Sequence, residues 1–335
     1  MEDLSFPDVS ILAAPIYLAL IGFEVGMESR RGRRQAAARD LWTNLAMGMG
    51  NAVSAVFLWG GIAALMLVAW QHRFLDLGIT WWSFALAMLA KDFVYYWVHR
   101  FQHRIRWCWA NHVVHHSSQG YNLSTALRQP WLGFTTGTYI LAIPVIMLGI
   151  HPALYALAGG INLFYQFFIH TQAVKKLPGW VEAIFNTPSH HRVHHATNPH
   201  YLDSNYAGIL IIWDRLFGTF ARERAEDPCD YGLVSNIASQ NPFFVATHEY
   251  RAIAQDVFRQ GLRPIERFRY IFAEPGYSHD GSRMTTAQIK AHAGVRLSGG
   301  QGSSMASPSQ KRSVPCKPSP ISSTPSSIST SSSLS

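Results

Sequence analysis

Two short motifs, NHVVHH at residues 111–116 and HHRVHH at residues 190–195, carry the same HxxHH pattern in distant parts of the chain. Ten of the sixteen histidines fall within residues 99–116 and 190–200. Positions three and four residues apart lie on one face of a helix, so each motif directs three imidazoles to the same side. The sequence therefore predicts two helical segments whose histidines bind a common ligand.

A third group of histidines precedes the first motif. In KDFVYYWVHRFQHR, residues 91–104, the HxxxH spacing lets two imidazoles on one helical stripe bind one metal ion. A single HxxxH is more typical of a solvated helix face, but three clusters together favour a metal site. One further histidine follows an apolar segment and is included. The predicted metal ligands are His99, His103, His112, His115, His116, His170, His191, His194 and His195.

This ligand set exceeds the coordination capacity of one metal ion, so the sequence predicts two ions. Imidazole is a ligand for iron, zinc, copper and nickel, and the spacing alone does not choose among these metals. A closed zinc site needs only about four ligands. The surplus of histidine ligands favours a dinuclear centre with open coordination positions, the arrangement that redox chemistry with dioxygen requires.

Polar residues near the histidines are candidates for supporting roles. A metal-bound imidazole usually donates its second nitrogen to a carboxylate or carbonyl, and Asp92 lies one helical stripe below His99. The alternative for Asp92 is an ion pair with Lys91 or an arginine. His200 lies near the second motif but outside its helical register. Further candidates for additional ligands or ring-fixing groups are His190, Gln166, Asp203 and Asp214, and candidates for substrate or headgroup contacts are Asn122 and Arg128.

The composition indicates an all-α integral membrane protein. Only 14% of the 335 residues are charged, against about 25% in soluble proteins. A transmembrane helix needs about 20 apolar residues. Four predicted spans satisfy this, and residues 10–23 form a shorter apolar segment that could dip into the membrane as a fifth. The four are residues 43–70, 79–98, 131–150 and 152–170.

Charge in the loops predicts the orientation. Residues 29–40 contain five arginines, and loops rich in Lys and Arg lie in the cytosol. With five spans, both histidine motifs then face the cytosol, in a helical, histidine-rich domain that caps the four or five transmembrane helices. A net charge of +8 suits anionic lipid headgroups, and a nucleic-acid partner is not expected. The three cysteines, Cys108, Cys229 and Cys316, lack CxxC spacing and are predicted to be free thiols.

These features divide the chain into four parts. Residues 1–40 are predicted to form the short apolar helix and the basic cytosolic loop, and residues 41–222 the catalytic domain. Residues 223–296 are a C-terminal cytosolic extension. Residues 297–335 are rich in Ser and Pro and are predicted to be a disordered tail, because such a composition buries too little apolar surface to fold.

Four phrases of the sequence resemble the fatty acid hydroxylase and sterol desaturase superfamily of membrane non-haem di-iron enzymes. They are DFVYYWVHRFQH, NHVVHHSSQGYNLSTALRQP, FFIHTQ and NTPSHHRVHHATNPHYLDSNYAGILIIWDRLFGTF, within about residues 40–222. Within the superfamily, NLSTALRQ and NTPSHHRVHH are most similar to alkylglycerol monooxygenases and their bacterial relatives. The resemblance implies two iron ions, dioxygen as cosubstrate and a lipid substrate. It also implies an electron donor, either a cytochrome b5-like protein, another electron carrier or tetrahydrobiopterin.

The resemblance predicts a lipid hydroxylase in a bacterial inner membrane or the endoplasmic reticulum, with its active site facing the cytosol. Two positions depart from the family pattern. Arg104 stands where alkylglycerol monooxygenases carry glutamate, and Gln166 stands where some members have a histidine. A sterol or fatty-acyl desaturase is the alternative function. A metal transporter, whose ligands would line a path through the membrane, and an inactive lipid-binding homologue are further alternatives.

Overall fold

The computed structural model describes residues 9–30 and 34–295, and within them the regular structure is helical, with only isolated β-bridges. The all-α prediction is therefore confirmed. The predicted tail, Cys316 and part of the basic loop lie outside the described residues. The α-helices are α1 (Val9–Arg30), α2 (Arg34–Gln71), α3 (Trp81–Arg104), α4 (Arg106–His116), α5 (Ile143–Met147), α6 (Pro152–Ile169), α7 (Gly179–Ile184), α8 (Pro188–His194), α9 (Ile212–Leu216), α10 (Pro242–Val257), α11 (Pro264–Phe272) and α12 (Thr286–His292).

Among the described residues, two helices are long and apolar enough to cross a membrane, Leu12–Arg30 within α1 and α6. A third candidate is α2, if its arms Arg39–Phe57 and Gly60–Gln71, inclined at 51°, form one bent span. The predicted count of four or five spans is thus not confirmed. The segment at residues 10–23 is longer than predicted, because α1 continues through the polar residues up to Arg30.

The predicted span 131–150 is not one helix, which corrects the prediction from composition. Two 3-10 helices, Gly133–Thr136 and Thr138–Ala142, precede the short α5. Gly137 separates them with a left-handed backbone (φ 69°), a conformation that ends regular helix. Hydropathy registers the apolar residues of this stretch but not the glycine and threonines that interrupt them.

The helix α3 covers the predicted span 79–98 and extends beyond it to the histidines. Thr80 caps its first turn, accepting a hydrogen bond from the backbone N–H of Ser83, and the Ser83 hydroxyl accepts from the backbone N–H of Thr80. Ile105 has an extended backbone (φ −119°, ψ 118°), which ends α3 and lets the chain reverse into α4. Because α3 and α4 then pack against each other, the histidines of α3 face those of α4.

Apolar packing holds α6 in register with its neighbours. Near its C-terminal end, Phe167 stacks on Tyr17 of α1 with ring centroids 4.0 Å apart. At its N-terminal end, His151 caps the helix by accepting a hydrogen bond from the N–H of Ala153 at 3.2 Å. His170, which follows directly after α6, is therefore held at a fixed position beside α3 and α4.

The extension at residues 223–296 packs on α4 through a buried arginine. Arg106 donates to Glu249 and to Asp256, both at 2.7 Å, and to the carbonyl of Tyr270 at 3.2 Å. Its own backbone N–H donates to the carbonyl of Ala273 at 2.9 Å. The helix that carries the first HxxHH motif is thus anchored to α10 and α11.

Candidate metal centre

The nine histidines predicted to be ligands come together as two buried groups. Within each group, one ring nitrogen from every histidine lies within 4.8 Å of those of the others. The first group takes its rings from α3, α4 and α8, and the second from α4, the end of α6 and α8 with the residue after it. The first group is His99, His103, His112, His116 and His194, and the second is His115, His170, His191 and His195.

Hydrogen bonds from the outer nitrogens fix several rings of the first group. Nδ1 of His99 lies 2.8 Å from the carbonyl of Tyr206, and Nδ1 of His194 lies 3.0 Å from that of Ser204. A carbonyl can only accept, so both Nδ1 atoms carry the hydrogen and both Nε2 atoms present a lone pair when the rings are neutral.

The inward nitrogens of the first group meet at short distances. Nε2 of His112 lies 2.9 Å from Nε2 of His99 and 3.2 Å from that of His116, which lies 3.1 Å from that of His194. The four Nε2 atoms therefore form a chain in the order His99, His112, His116, His194. The two end atoms, those of His99 and His194, carry lone pairs, so only the two inner atoms can carry a hydrogen. Two inner hydrogens cannot make three hydrogen bonds, so at least one contact lacks a hydrogen. A cation at the centre would satisfy all of them.

The second group repeats this arrangement. Nδ1 of His170 donates to the carbonyl of Gln166 at 2.6 Å, so its Nε2 presents a lone pair. That Nε2 lies 2.9 Å from Nε2 of His191 and 3.1 Å from that of His115. Nε2 of His195 lies 3.2 Å from that of His191. The backbone of Gln166 thus fixes a ring, while its side chain bonds Tyr95 and Asn162.

Burial keeps these imidazoles neutral. It lowers the pKa of His112, His115, His116, His191, His194 and His195 well below the usual value, and that of His170 to about 4. Neighbouring histidines lower the pKa further in all of these except His170. Protonation therefore does not relieve the facing lone pairs at neutral pH. In addition, Nε2 of His103 is buried without a hydrogen-bond partner among the described residues. Neutral imidazoles are the donors that transition metals bind, so the residues present fit a metal ion in each group.

The two groups adjoin each other. His116 of the first stacks on His195 of the second, with centroids 4.4 Å apart and planes inclined by 22°. His194 of the first and His191 of the second are also stacked, at 5.2 Å and 14°. The two HxxHH motifs therefore interleave, and the arrangement is a compact double site and not a line of ligands along a path.

Of the three candidate carboxylates, one contacts a ring directly. Asp203 Oδ1 lies 3.4 Å from Nδ1 of His103. Asp214 supports a ring indirectly. It accepts hydrogen bonds from the backbone N–H groups of Tyr206 and Ala207, both at 2.8 Å, and so positions the carbonyl of Tyr206, which fixes His99.

The prediction that Asp92 fixes the ring of His99 is wrong, as is its alternative. The Asp92 carboxylate accepts from the backbone N–H groups of Ile209 and Leu210 and from the side chains of Asn162 and Trp213, at 2.7 to 3.0 Å. Lys91 lies over the ring of Tyr155. Asp92 therefore ties α3 to the loop before α9.

The two candidate headgroup contacts are buried structural groups. Arg128 is fully buried and donates to Asp40, Asn44, Ser117 and the carbonyl of Val114. It joins α2 to the histidine-bearing α4, and its burial leaves no open face for a lipid headgroup.

Asn122 caps the 3-10 helix Leu123–Leu127 and donates to Glu28. His190, the candidate additional ligand, lies outside both groups. Its Nε2 lies 3.0 Å from Glu182, and its ring packs on Phe220.

Arg104, the departure from the family pattern, does not belong to either group. It pairs with Glu274 of the extension and lies 3.5 Å from Asp203. Cys108 and Cys229 are free thiols, as predicted.

Sequence reasoning missed the ring-fixing carbonyls of Ser204 and Tyr206. These belong to the backbone, and the one sequence signal was the segment LDSNY. Within it, Asp203 and Asn205 adopt left-handed conformations (φ 52° and 59°), which Asp and Asn tolerate better than most residues. The bend they produce directs the carbonyls toward the histidines.

Comparison with known proteins agrees with this site. The family model for fatty acid hydroxylase matches residues 84–219, which include all nine grouped histidines. The chain is 43% identical to the alkylglycerol monooxygenase of Danio rerio over 233 residues, which are 68% of this chain and 50% of that protein. It is 36% identical to that of Homo sapiens over 282 residues, 83% of this chain and 62% of the relative. The ornithine lipid hydroxylase OlsE of Rhizobium tropici is 26% identical over 216 residues, 64% of this chain and 62% of that protein.

The chain thus spans between half and about three fifths of the length of these relatives. No solved structure matches it significantly. The match to the family model and the similarity to alkylglycerol monooxygenases both cover the helices that bring the histidines together. Residues 84–219 are therefore a domain that matches the fatty acid hydroxylase family.

Proposed function

We propose that this protein is a membrane-bound lipid hydroxylase that uses dioxygen and two iron ions, one held by each histidine group. The observation that carries the proposal is the pair of adjoining groups of buried imidazoles inside a fatty acid hydroxylase domain. The similarity to monooxygenases and hydroxylases supports an oxidoreductase.

The chemistry that bound iron supplies is the activation of dioxygen and the insertion of one oxygen atom into a C–H bond. The protein holds and isolates the centre. Carbonyls of Tyr206, Ser204 and Gln166 keep three rings in the tautomer whose Nε2 faces inward. The nine rings are all buried, which excludes bulk water from the site and protects reactive species from side reactions.

The lipid is expected to reach the site from the bilayer. The helix α3 runs from apolar residues such as Leu86 and Leu89, which are exposed on its surface, directly into His99 and His103. An apolar chain that lies along this helix would end beside the first histidine group. Two or three helices of the chain can cross a membrane by length and composition, which supports a membrane location. The five arginines within residues 29–40 support a cytosolic position for the histidine groups.

Alkylglycerols are the first substrate class to test, because relatives that are 34–43% identical bear the name alkylglycerol monooxygenase. Arg104 does not contradict this choice. Its guanidinium faces Asp203 and Glu274, and Asp203 contacts the outer Nδ1 of His103, so the cation lies on the far side of that ring from the inward nitrogens. The electron donor remains among the three classes that the resemblance implies.

The deciding experiment measures metal and product together. The protein is purified in detergent, its iron is quantified, and membranes are assayed with an alkylglycerol, dioxygen and a reductant, with lipid products read by mass spectrometry. We expect two iron ions per chain and a product one oxygen atom heavier, lost in His115→Ala and retained in His248→Ala. An iron-free protein with an unchanged lipid profile would refute the proposal. A product that has lost two hydrogens would instead indicate a desaturase.

A further inference from the structure

A second feature lies on the outer side of the first histidine group. A cavity of about 380 Å³ has Asp203 and Ser204 in its wall. These residues contact the outer nitrogens of His103 and His194, so the cavity is one residue away from two grouped rings. The cavity is also lined by His200, Arg222, Arg224 and Lys290.

Three cations in this wall form no ion pair within 4 Å among the described residues. Arg222 and Arg224 are exposed and Lys290 is half-buried. The ion pairs found within residues 9–30 and 34–295 include none of the three. Like charges that face one cavity repel each other, and an anion between them removes that cost.

Two acidic groups near the cavity are already engaged. Asp203 contacts His103 and Arg104. Glu223 makes a two-pronged pair with Arg192, at 2.8 Å for each contact. The residues that line the cavity therefore include three cations and one carboxylate, that of Asp203.

His200, which sequence analysis left ambiguous, also lines the cavity. Its Nδ1 lies 3.0 Å from Asp227, whose other oxygen accepts from Asn198. Its Nε2 is shielded from solvent and has no hydrogen-bond partner among the described residues. With Nδ1 donating to Asp227, Nε2 of the neutral ring presents a lone pair, which can accept a hydrogen bond from a protonated ligand oxygen such as P–O–H.

We propose that this cavity binds a phosphate-type anion. Guanidinium groups bind phosphate oxygens through paired N–H donors, and an ammonium group adds a point charge. The phosphate could belong to a free metabolite or to a lipid headgroup, since both present the same phosphate oxygens to the cations. The site is separate from the proposed function. Asp203 lies between its cations and the ring of His103, and binding of an anion there requires no bound iron.

The test is calorimetric titration of the purified full-length protein with inorganic phosphate. We expect saturable binding by the wild type that weakens as NaCl is raised. The double variant Arg222→Gln/Arg224→Gln should bind at least about tenfold more weakly, the loss that one removed charged contact typically causes. Arg251→Gln, which changes an exposed arginine on α10, is the matched control and should bind like the wild type.

Two further titrations identify the source of the phosphate. Glycerol 3-phosphate represents a free metabolite, and short-chain phosphatidic acid in the same detergent represents a headgroup. The probe that binds more tightly shows whether the ligand is a free metabolite or a lipid headgroup. Absence of saturable binding to all three probes, or equal affinity in the double variant and the wild type, would overturn the proposal. Iron content and lipid hydroxylation are measured separately, so failure here leaves the proposed function untouched.

Discussion

His116 and His195 stack across the boundary between the two histidine groups, with ring centroids 4.4 Å apart and planes inclined by 22°. Each ring belongs to a different HxxHH motif and a different group. Because the two rings are in contact, displacement of one ring is expected to displace the other. The two proposed metal ions are therefore expected to be coupled in binding.

Removal of rings from the two groups should have unequal effects on iron content. His170→Ala removes one of four rings from the second group only, and we expect iron to fall from two ions per chain to about one. His116→Ala removes a ring of the first group and also the stacking support of His195, so we expect it to lower iron below one ion per chain. Inductively coupled plasma mass spectrometry of purified protein measures both.

The control for this pair is His248→Ala, a histidine on α10 outside both groups, which should keep two ions. The idea of coupled sites is contradicted if His116→Ala and His170→Ala retain the same amount of iron. The metal assignment itself is contradicted if neither variant changes the iron content.

Asp203→Asn should weaken metal binding without disturbing the backbone. Asp203 adopts a left-handed conformation (φ 52°) that Asn also tolerates, so the substitution mainly removes the charge beside Nδ1 of His103. Loss of a group that orients a metal-bound imidazole typically costs about 10- to 100-fold in affinity. Competition with a chelator that reports iron loss measures the change. Asp230→Asn, an exposed aspartate, is the control, and equal iron retention in both variants would show that Asp203 does not support the site.

The helix-borne part of the site could be predicted because it follows from periodicity. Residues three and four apart on α4 and α8 lie near one face, and in each motif the two histidines four residues apart share a group. The third histidine of each motif, His115 or His194, joins the other group, which periodicity alone does not predict. His99 and His103 obey the same rule on α3. What periodicity cannot give is the partner of each outer nitrogen. Those partners are carbonyls of Tyr206 and Ser204, whose direction depends on two left-handed residues in a loop.

The errors have a similar origin. Asp92 shares a stripe with His99, yet its carboxylate is satisfied by the N–H groups of Ile209 and Leu210, which lie far away along the chain. Arg128 is a candidate for substrate or headgroup contacts from the sequence, but tertiary packing buries it against α2 and α4. Long-range pairings of this kind leave no local pattern in the sequence.

Arg106→Gln should destabilise the packing of the extension on α4. Arg106 is almost fully buried and pairs with Glu249 and Asp256, so the substitution leaves the half-buried Glu249 without its cation and the buried Asp256 with Arg283 alone. Removing one partner of such a pair typically costs about 3 kcal/mol or more. We expect a lower Tm for the detergent-solubilised protein by differential scanning fluorimetry. Arg269→Gln, on the exposed surface of α11, should leave Tm unchanged. An unaltered Tm in Arg106→Gln would mean that the extension does not depend on this contact.

Arg104→Glu should be more harmful than Arg104→Gln, although it restores the residue that the resemblance expects. Arg104 lies between Asp203 and Glu274, and a third carboxylate there would replace two attractions with two repulsions. The repulsion would displace Asp203 from His103, so we expect Arg104→Glu to lose iron and lower Tm. Arg104→Gln, half-exposed and neutral, should change both only slightly, because exposed pairs contribute about 1 kcal/mol or less. Iron analysis and thermal unfolding of the two variants, side by side with the wild type, measure the difference. If Arg104→Glu retains iron and gains activity on an alkylglycerol, the position acts on the substrate and not on the ring of His103.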